Sequence, residues 1–298
     1  MIGNVASRFL RNGAREACVE PPVVWMQRTL FVLGMLAWLA GPARAGDEWL
    51  AGQKKFHQLK DKAAVDRLLA DLRKQYPDFV ARLRAVALLR VGTPYVLGCL
   101  GEEKGPDAQP VFRLDLSDCT VHVLTSAALA HAASYAEARG WMTRLNYYPA
   151  PGRDPVSYAN RVHFTEDRLQ TSAYFKDVTA RVAPAAALES RTLTLNRKRD
   201  GSALLEIPWE KKITVRYIPA AKLNKAMLDR LPVAAGVAFI REKDVPLGLI
   251  IGHEGMVIDR GDLVHADSIS KRVQRVSLLE YVKKNSDWFD GVVLYEFR

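Results

Sequence analysis

The hydrophobic period of the chain changes near its middle, and this change limits the fold more than any single motif. Up to residue 146 apolar side chains recur at helical spacing; from residue 190 onward they alternate. In DFVARLRAVALLRVG (78–92), Phe79, Val80, Leu83, Val86, Ala87 and Leu89 fall on one helical face, Pro77 suits a helix start and Gly92 a C-cap. DEWLAGQKKFHQLK (47–60) and AVDRLLADLRKQ (64–75) read as helices before it, and SYAEARGWMTRLN (134–146) as a helix after it. Residues 146–162 are rich in Pro, Gly and Tyr and read as a long irregular loop of the kind that carries function. SRTLTLNR (190–197), KITVRYIPA (212–220), AGVAFIRE (235–242), PLGLIIGHEGMVID (246–259), GDLVHADS (261–268) and GVVLYEFR (291–298) read as strands, with turns at Lys243-Asp244 and Arg260-Gly261. AAKLNKAMLDRL (220–231) and SLLEYVKKN (277–285) read as helices among them. Helices gathered first and strands later predict an α+β fold with an antiparallel sheet.

The N-terminal end has a different logic. MQRTLFVLGMLAWLAGPARA (26–45) has Arg28 as a positive start, an apolar run over 29–41 and the small-x-small site Ala43-Arg44-Ala45. It reads as a secretory signal cleaved after Ala45, within a signal region spanning 1–45. A retained single-pass anchor is the competing reading, but the apolar run is short of the roughly 20 residues that span a bilayer. Glu16, Glu20 and two prolines do not suit a signal's positive start, so Met26 is the expected translation start. The mature chain then divides into a helical segment, 46–90, and a domain, 91–298. Removing 1–45 reduces 43 basic and 33 acidic residues to 38 and 31, a net charge of +7. That balance suits an exported protein near anionic polymer or membrane surface, with no stable anchor after cleavage. No zinc-finger spacing or aromatic-interleaved basic run points to nucleic acid.

Two of the three cysteines survive cleavage: Cys99 in the Gly-punctuated VLGCLGEE and Cys119 in SDCTVHVLTSAALAHA. A disulfide between them is one option in an oxidising compartment. Cys119, however, opens an apolar helix at 118–131 behind the capping-type Ser117 and Asp118. A thiol there feels the positive end of the helix, which favours the reactive thiolate, although a small buried packing residue has the same pattern. A nucleophile needs a base. His253 and His265 lie twelve residues apart on two strand segments joined near Arg260-Gly261, so a hairpin can bring them together, with His253 toward Cys119 and His265 orienting its ring. His122, at i+3 from Cys119, is a rival base with poor reach over the sulfur. His253, Glu254, His265 and Asp267 are also metal-ligand types, but HEGMV lacks the i+4 histidine of a helical zinc site and Glu254 alternates away from His253, so no metal or other cofactor is expected. Ser268-Ile269-Ser270-Lys271 matches an S-x-x-K motif without its companions and reads as chance.

GTPYVLG (92–98), DCT…ALA (118–130), SYANRVHFTEDRL (157–169), YIPAAKL (217–223), GHEGMVI (252–258) and VHADS (264–268), in that order, resemble the DUF1460 family, a branch of the NlpC/P60 cell-wall hydrolases, over roughly residues 60–298. The resemblance implies a papain-like fold, a nucleophile helix packed on an antiparallel sheet. It implies an N-acetylmuramoyl-L-alanine amidase acting on peptidoglycan fragments, notably 1,6-anhydromuropeptides, in the periplasm. By the same resemblance Cys119 is the nucleophile, His253 the base and His265 the orienting residue. Tyr95 and Asp118 would serve substrate or oxyanion, and Arg161 and His163 would lie along the substrate groove. The chain departs from the family pattern at Leu124, where an acidic residue is usual, at Ala235-Gly236 in place of Gly-Asp, and at Glu254 after the histidine. Two other activities stay open: cleavage within the stem peptide, and muropeptide binding without turnover.

Overall fold

The computed structural model describes residues 45–100 and 112–298. The signal reading on 1–44, including Met26 and Cys18, lies outside the described residues. Helices α1 (Ala45–Ala51), α2 (Lys62–Gln75) and α3 (Phe79–Leu89) come first, followed by α4 (Cys119–His131) and α5 (Tyr135–Asn146). Each of α2 to α5 starts where a side-chain oxygen can accept from a free backbone N–H: Asp61, Asp78, Asp118 and Ser134 are the caps. Next come α6 (Thr165–Thr171), β1 (Phe175–Asp177), α7 (Thr179–Val182), β2 (Glu189–Leu195), β3 (Lys211–Pro219) and α8 (Lys225–Leu228). The chain closes with β4 (Ala234–Ile240), β5 (Ile251–Ile258), β6 (Asp262–Asp267), β7 (Arg272–Ser277), α9 (Leu278–Lys284) and β8 (Gly291–Phe297).

The strands form one eight-stranded sheet in the order β2-β3-β8-β4-β5-β6-β7, with β1 also on β8, and all its pairs are antiparallel. This is an α+β fold. One face of the sheet presents Met256, Ile258, Val264 and Tyr295 to the helices α2 to α5, through residues such as Leu69, Leu83, Leu124 and Met142. The other face presents Val237, Phe239, Val257 and Leu263 to Val182, Leu228, Leu278 and Val282 of α7, α8 and α9. Burial on both faces explains why β4 reads as a continuous apolar run: all seven of its residues are buried. Residues of the 46–90 segment, Leu50 and Leu69 among them, share the first of these cores with α4.

Several elements differ from their sequence reading for local reasons. The 47–60 helix is α1 and a short 3-10 turn at Phe56–Gln58, parted after Gly52. The 220–231 helix is a 3-10 turn, Ala220–Lys222, and the brief α8, because Asn224 caps a new start between them. The strand expected from 246 starts only at Ile251, since Glu242–Leu247 forms a 3-10 turn containing Pro246. That turn closes on Gly248 at φ 82°, where a Cβ would lie 2.6 Å from the Arg197 backbone nitrogen. The helix α6 has no counterpart in the sequence reading, and it proves to matter for the site.

Candidate active site

Cys119 is the first residue of α4 and is partly exposed. Asp118 holds that helix start: its carboxylate accepts from Val121 N–H at 2.8 Å and from Gly98 N–H at 3.1 Å. Asp118 therefore acts as a cap that also ties the 95–98 loop to the start of α4, its carboxylate oxygens accepting from backbone N–H groups. Cys99 is buried, and both thiols are free.

α4 packs against β5 and β6. A cleft of about 320 Å³ opens where β5 begins and β6 ends, lined by Tyr95, Asp118, Cys119, Arg161, His163 and His253. His265 stands behind His253, fully buried, with its Nδ1 2.8 Å from His253 Nε2. Two glycines make that contact sterically open. β5 carries a bulge at Gly252, where the pairing jumps from Phe239↔His253 to Ile240↔Ile251, and a Cβ there would lie 2.1 Å from Arg241 Cδ. Continuing the Met256↔Val264 register sets Gly255 opposite His265, and a Cβ on Gly255 would lie 2.9 Å from His265 Cβ. The ring of His265 thus crosses beside β5 and reaches His253 diagonally. Phe239, Phe289 and Tyr281 pack around the His253 ring with centroids 5.3, 6.0 and 6.2 Å away.

The electrostatics describe a neutral resting site. Burial pushes the Cys119 thiol up to about 12, with the charges of Asp118 and Glu254 adding to the rise and the backbone N–H groups of Glu254 and Thr120 opposing it. Burial, then the neighbouring His265 and Arg241, holds His253 well below the ordinary histidine range. Burial likewise lowers His265 to about 4, against a smaller upward pull from Asp267. A thiol and a neutral imidazole pair can exchange a proton only as charge develops on a substrate, which is general-base chemistry rather than a standing ion pair.

The remaining residues singled out in the sequence fall into place around the cleft. Arg161 is buried, its guanidinium 5.7 Å from the Tyr147 ring and 3.3 Å from the Tyr147 hydroxyl. Burial lowers it to about 10, so it stays cationic at neutral pH. His163 bonds through Nε2 to the Tyr158 carbonyl at 2.7 Å, and burial lowers it to about 4. The Tyr95 ring lies on the rim, its backbone N–H donating to Lys271 C=O at 2.9 Å. His122 is fully buried on the core side of α4 and does not line the cleft. Of the four metal-ligand types, Glu254 turns to the opposite face and pairs with Arg168, and Asp267 accepts from Ser270 N–H at 2.7 Å, so they do not converge with the histidine pair. Ser268–Lys271 is the β6–β7 turn.

Sequence reasoning missed what holds the histidines. From α6, Glu166 Oε1 accepts from the backbone N–H groups of Ile250 and Ile251, at 2.9 and 2.7 Å, and so fixes the entry to β5 just before Gly252 and His253. Two residues on, Arg168 reaches Glu254, which also accepts from the Tyr295 hydroxyl at 3.0 Å. On β7, Gln274 touches His265. Two of the three exposed large apolar side chains among the described residues, Ile269 and Trp288, flank the same cleft.

Comparison with known proteins places this fold. A DUF1460-family protein of known structure from Legionella pneumophila is 22% identical, matching 80% of this chain and 97% of its own, with a TM-score of 0.60. An N-acetylmuramoyl-L-alanine amidase from Bacteroides uniformis is 22% identical, matching 74% of this chain and 98% of its own, with a TM-score of 0.56. These likenesses establish a shared fold. No curated protein matches the chain in sequence. The AmiA-like family profile, described as N-acetylmuramoyl-L-alanine amidase-like, matches residues 85–291, well over half of the sequence and all of the cleft, and the chain belongs to that family.

Proposed function

We propose that the protein is an exported cysteine amidase that hydrolyses the N-acetylmuramoyl–L-alanine bond of peptidoglycan fragments, 1,6-anhydromuropeptides among them. The observation that carries the reading is the shared cleft: the only partly buried cysteine of the described residues and a histidine braced by a second histidine line or back the same cavity. His253 Nε2 is engaged by His265, which leaves Nδ1 as the nitrogen available to the thiol.

In this mechanism His253 Nδ1 takes the Cys119 proton as the sulfur attacks the lactyl carbonyl carbon. The carbonyl oxygen becomes an oxyanion, held by the Cys119 backbone N–H and the Tyr95 hydroxyl. Burial raises Tyr95 above the ordinary tyrosine range, so its hydroxyl keeps its proton and donates. The C–N bond breaks, His253 returns its proton to the departing L-alanine amine, and a thioester to the muramoyl lactyl group remains. Water, deprotonated by His253, cleaves the thioester and releases the carboxylate and the free thiol. Arg161 supplies a cation for a carboxylate of the fragment, and the exposed faces of Trp288 and Ile269 offer apolar contact to a sugar ring.

The test is digestion of a defined muropeptide by the wild type and by Cys119→Ala, read by mass spectrometry. An intact sugar plus an intact stem peptide from the wild type alone is the expected result. Cleavage inside the stem would assign an endopeptidase, and tight binding without products would assign a binding protein. The export reading rests on the signal-like 26–45 segment; sequencing the mature protein should give Gly46 as its first residue.

A further inference from the structure

The proposed mechanism leaves one proton position to be decided. One hydrogen lies between His253 Nε2 and His265 Nδ1, 2.8 Å apart. A neutral imidazole has one N–H and one lone pair, so two arrangements satisfy this contact. If His265 Nδ1–H donates, His253 carries its own proton on Nδ1 and cannot take one from the thiol. If His253 Nε2–H donates, its Nδ1 is open to the thiol, and His265 must carry its proton on Nε2.

His265 Nε2 lies 3.2 Å from the Nε2 end of the Gln274 side-chain amide, the end that a half-turn exchanges with Oε1. The two residues are direct partners in the β6–β7 register, so their side chains share one face of the sheet. The ends of an amide are chemically opposite: the NH2 end donates and the oxygen accepts, and a half-turn about the last bond exchanges them. With the NH2 end inward, Gln274 donates to the His265 lone pair and enforces the unproductive arrangement. With the oxygen inward, it accepts from His265 Nε2–H and enforces the productive one. Among the described residues the amide makes no second hydrogen bond that would hold it in either orientation.

We propose that Gln274 is a positioning residue that sets the tautomers of both histidines: turned by that half-turn, its Oε1 accepts from His265 Nε2–H, so that His253 presents a bare Nδ1 to Cys119. This rests on the reading of Cys119 as nucleophile and His253 as base. The order is Cys119 S–H to His253 Nδ1, His253 Nε2–H to His265 Nδ1, and His265 Nε2–H to Gln274 Oε1. When His253 gains the thiol proton, the new positive charge meets the lone pair of His265, whose own N–H dipole ends on an uncharged carbonyl. Glutamine does not titrate, so the lock holds over the whole range in which the histidines are neutral. The other charged or titratable groups about the pair are Asp267 on β6, Arg241 after β4, Tyr281 on α9, and His122 and Cys119 on α4. The only hydrogen bond of His265 Nε2 among them and Gln274 is the one to Gln274.

Three proteins test this: the wild type, Gln274→Leu, which keeps similar size without an acceptor, and Gln274→Glu, whose ionised carboxylate accepts and does not donate. Long-range 15N–1H NMR reads the tautomers of His253 and His265, and iodoacetamide alkylation reads Cys119 activation at neutral pH. Both are independent of any muropeptide. The wild type and Gln274→Glu are expected to show Nε2–H on both rings. Gln274→Leu is expected to mix the tautomers and slow Cys119 alkylation about 10- to 100-fold, with kcat falling by a similar factor at unchanged KM and melting temperature. Nδ1–H on His253 in the wild type would overturn the proposal, even if Gln274→Leu failed to fold. So would wild-type tautomers and alkylation in Gln274→Leu. Normal tautomers with no muropeptide cleavage would instead sink the proposed substrate and leave the role of Gln274 standing.

Discussion

Adjacent residues of β5 sit in opposite worlds. His253 faces the cleft among aromatic rings and is held by another neutral ring. Glu254, one residue on, is 1% exposed on the other face and is locked to Arg168, Tyr295 and Thr165. The alternation of a strand separates a soft, uncharged, reorganisable pair from a rigid ion pair. The difference teaches how the fold can keep a strand histidine both neutral and fixed in place. The charges that fix β5 in place are on the far, Glu254 face, satisfied by one another, while the near, His253 face holds the neutral histidine pair among aromatic rings.

The comparison breaks first on activity. Cys119→Ala should abolish muropeptide cleavage and His253→Ala should lower it about 10²- to 10⁴-fold, each with a melting temperature close to the wild type. A His253→Ala protein with near-normal turnover would remove the near face from the chemistry. The far face should show the opposite signature. Arg168→Leu strands the Glu254 carboxylate in the core and should cost about 3–5 kcal/mol in denaturant unfolding, because a lone buried charge is worse than none. Replacing both, Arg168→Leu with Glu254→Leu, should recover part of that loss; no recovery would mean that the pair is not the source of the penalty. Between the faces lies Glu166, whose removal in Glu166→Ala frees two buried N–H groups at the start of β5. A loss of about 1–3 kcal/mol is expected, with kcat reduced more than KM is raised.

Acid should separate the two sets as well. His265, at about 4, and His253 stay neutral in the folded protein well below 6.5, so the acid limb of activity should lie below the ordinary histidine range. The unfolded chain binds protons first as pH falls through that range, so stability is complete above about 6.5 and declines toward 4. Melting curves from pH 8 to pH 4 should show that decline; a stability rising in acid would contradict the buried, neutral histidines. The smallest effect is at the cap: Asp118→Ala should cost about 1 kcal/mol and loosen the 95–98 loop.

The sequence disclosed the residue types that meet at the cleft and concealed their supports, for a physical reason. A cysteine behind an Asp cap and two histidines on one hairpin are local patterns, and so is the switch from helical to alternating period. Glu166, Asp167 and Arg168 form three consecutive charged residues, all buried, on a helix with no apolar stripe. Such a run reads as solvated surface, and only the sheet behind it makes it a core element. Gln274 is silent for another reason: its partner is set by the β6–β7 register, which depends on the four-residue turn 268–271 and not on any motif. The Gly252 bulge was the one legible hint, a glycine directly before a strand histidine.

The most direct measurement is the mass of what Cys119 carries during turnover. The protein is mixed with a muropeptide, quenched in acid and mapped by intact and peptide mass. The account requires the muramoyl lactyl group as a thioester on the peptide containing Cys119, with the stem peptide already released and carrying a free L-alanine amine. A stem-peptide fragment on Cys119, or full turnover with Cys119 never modified, would contradict it.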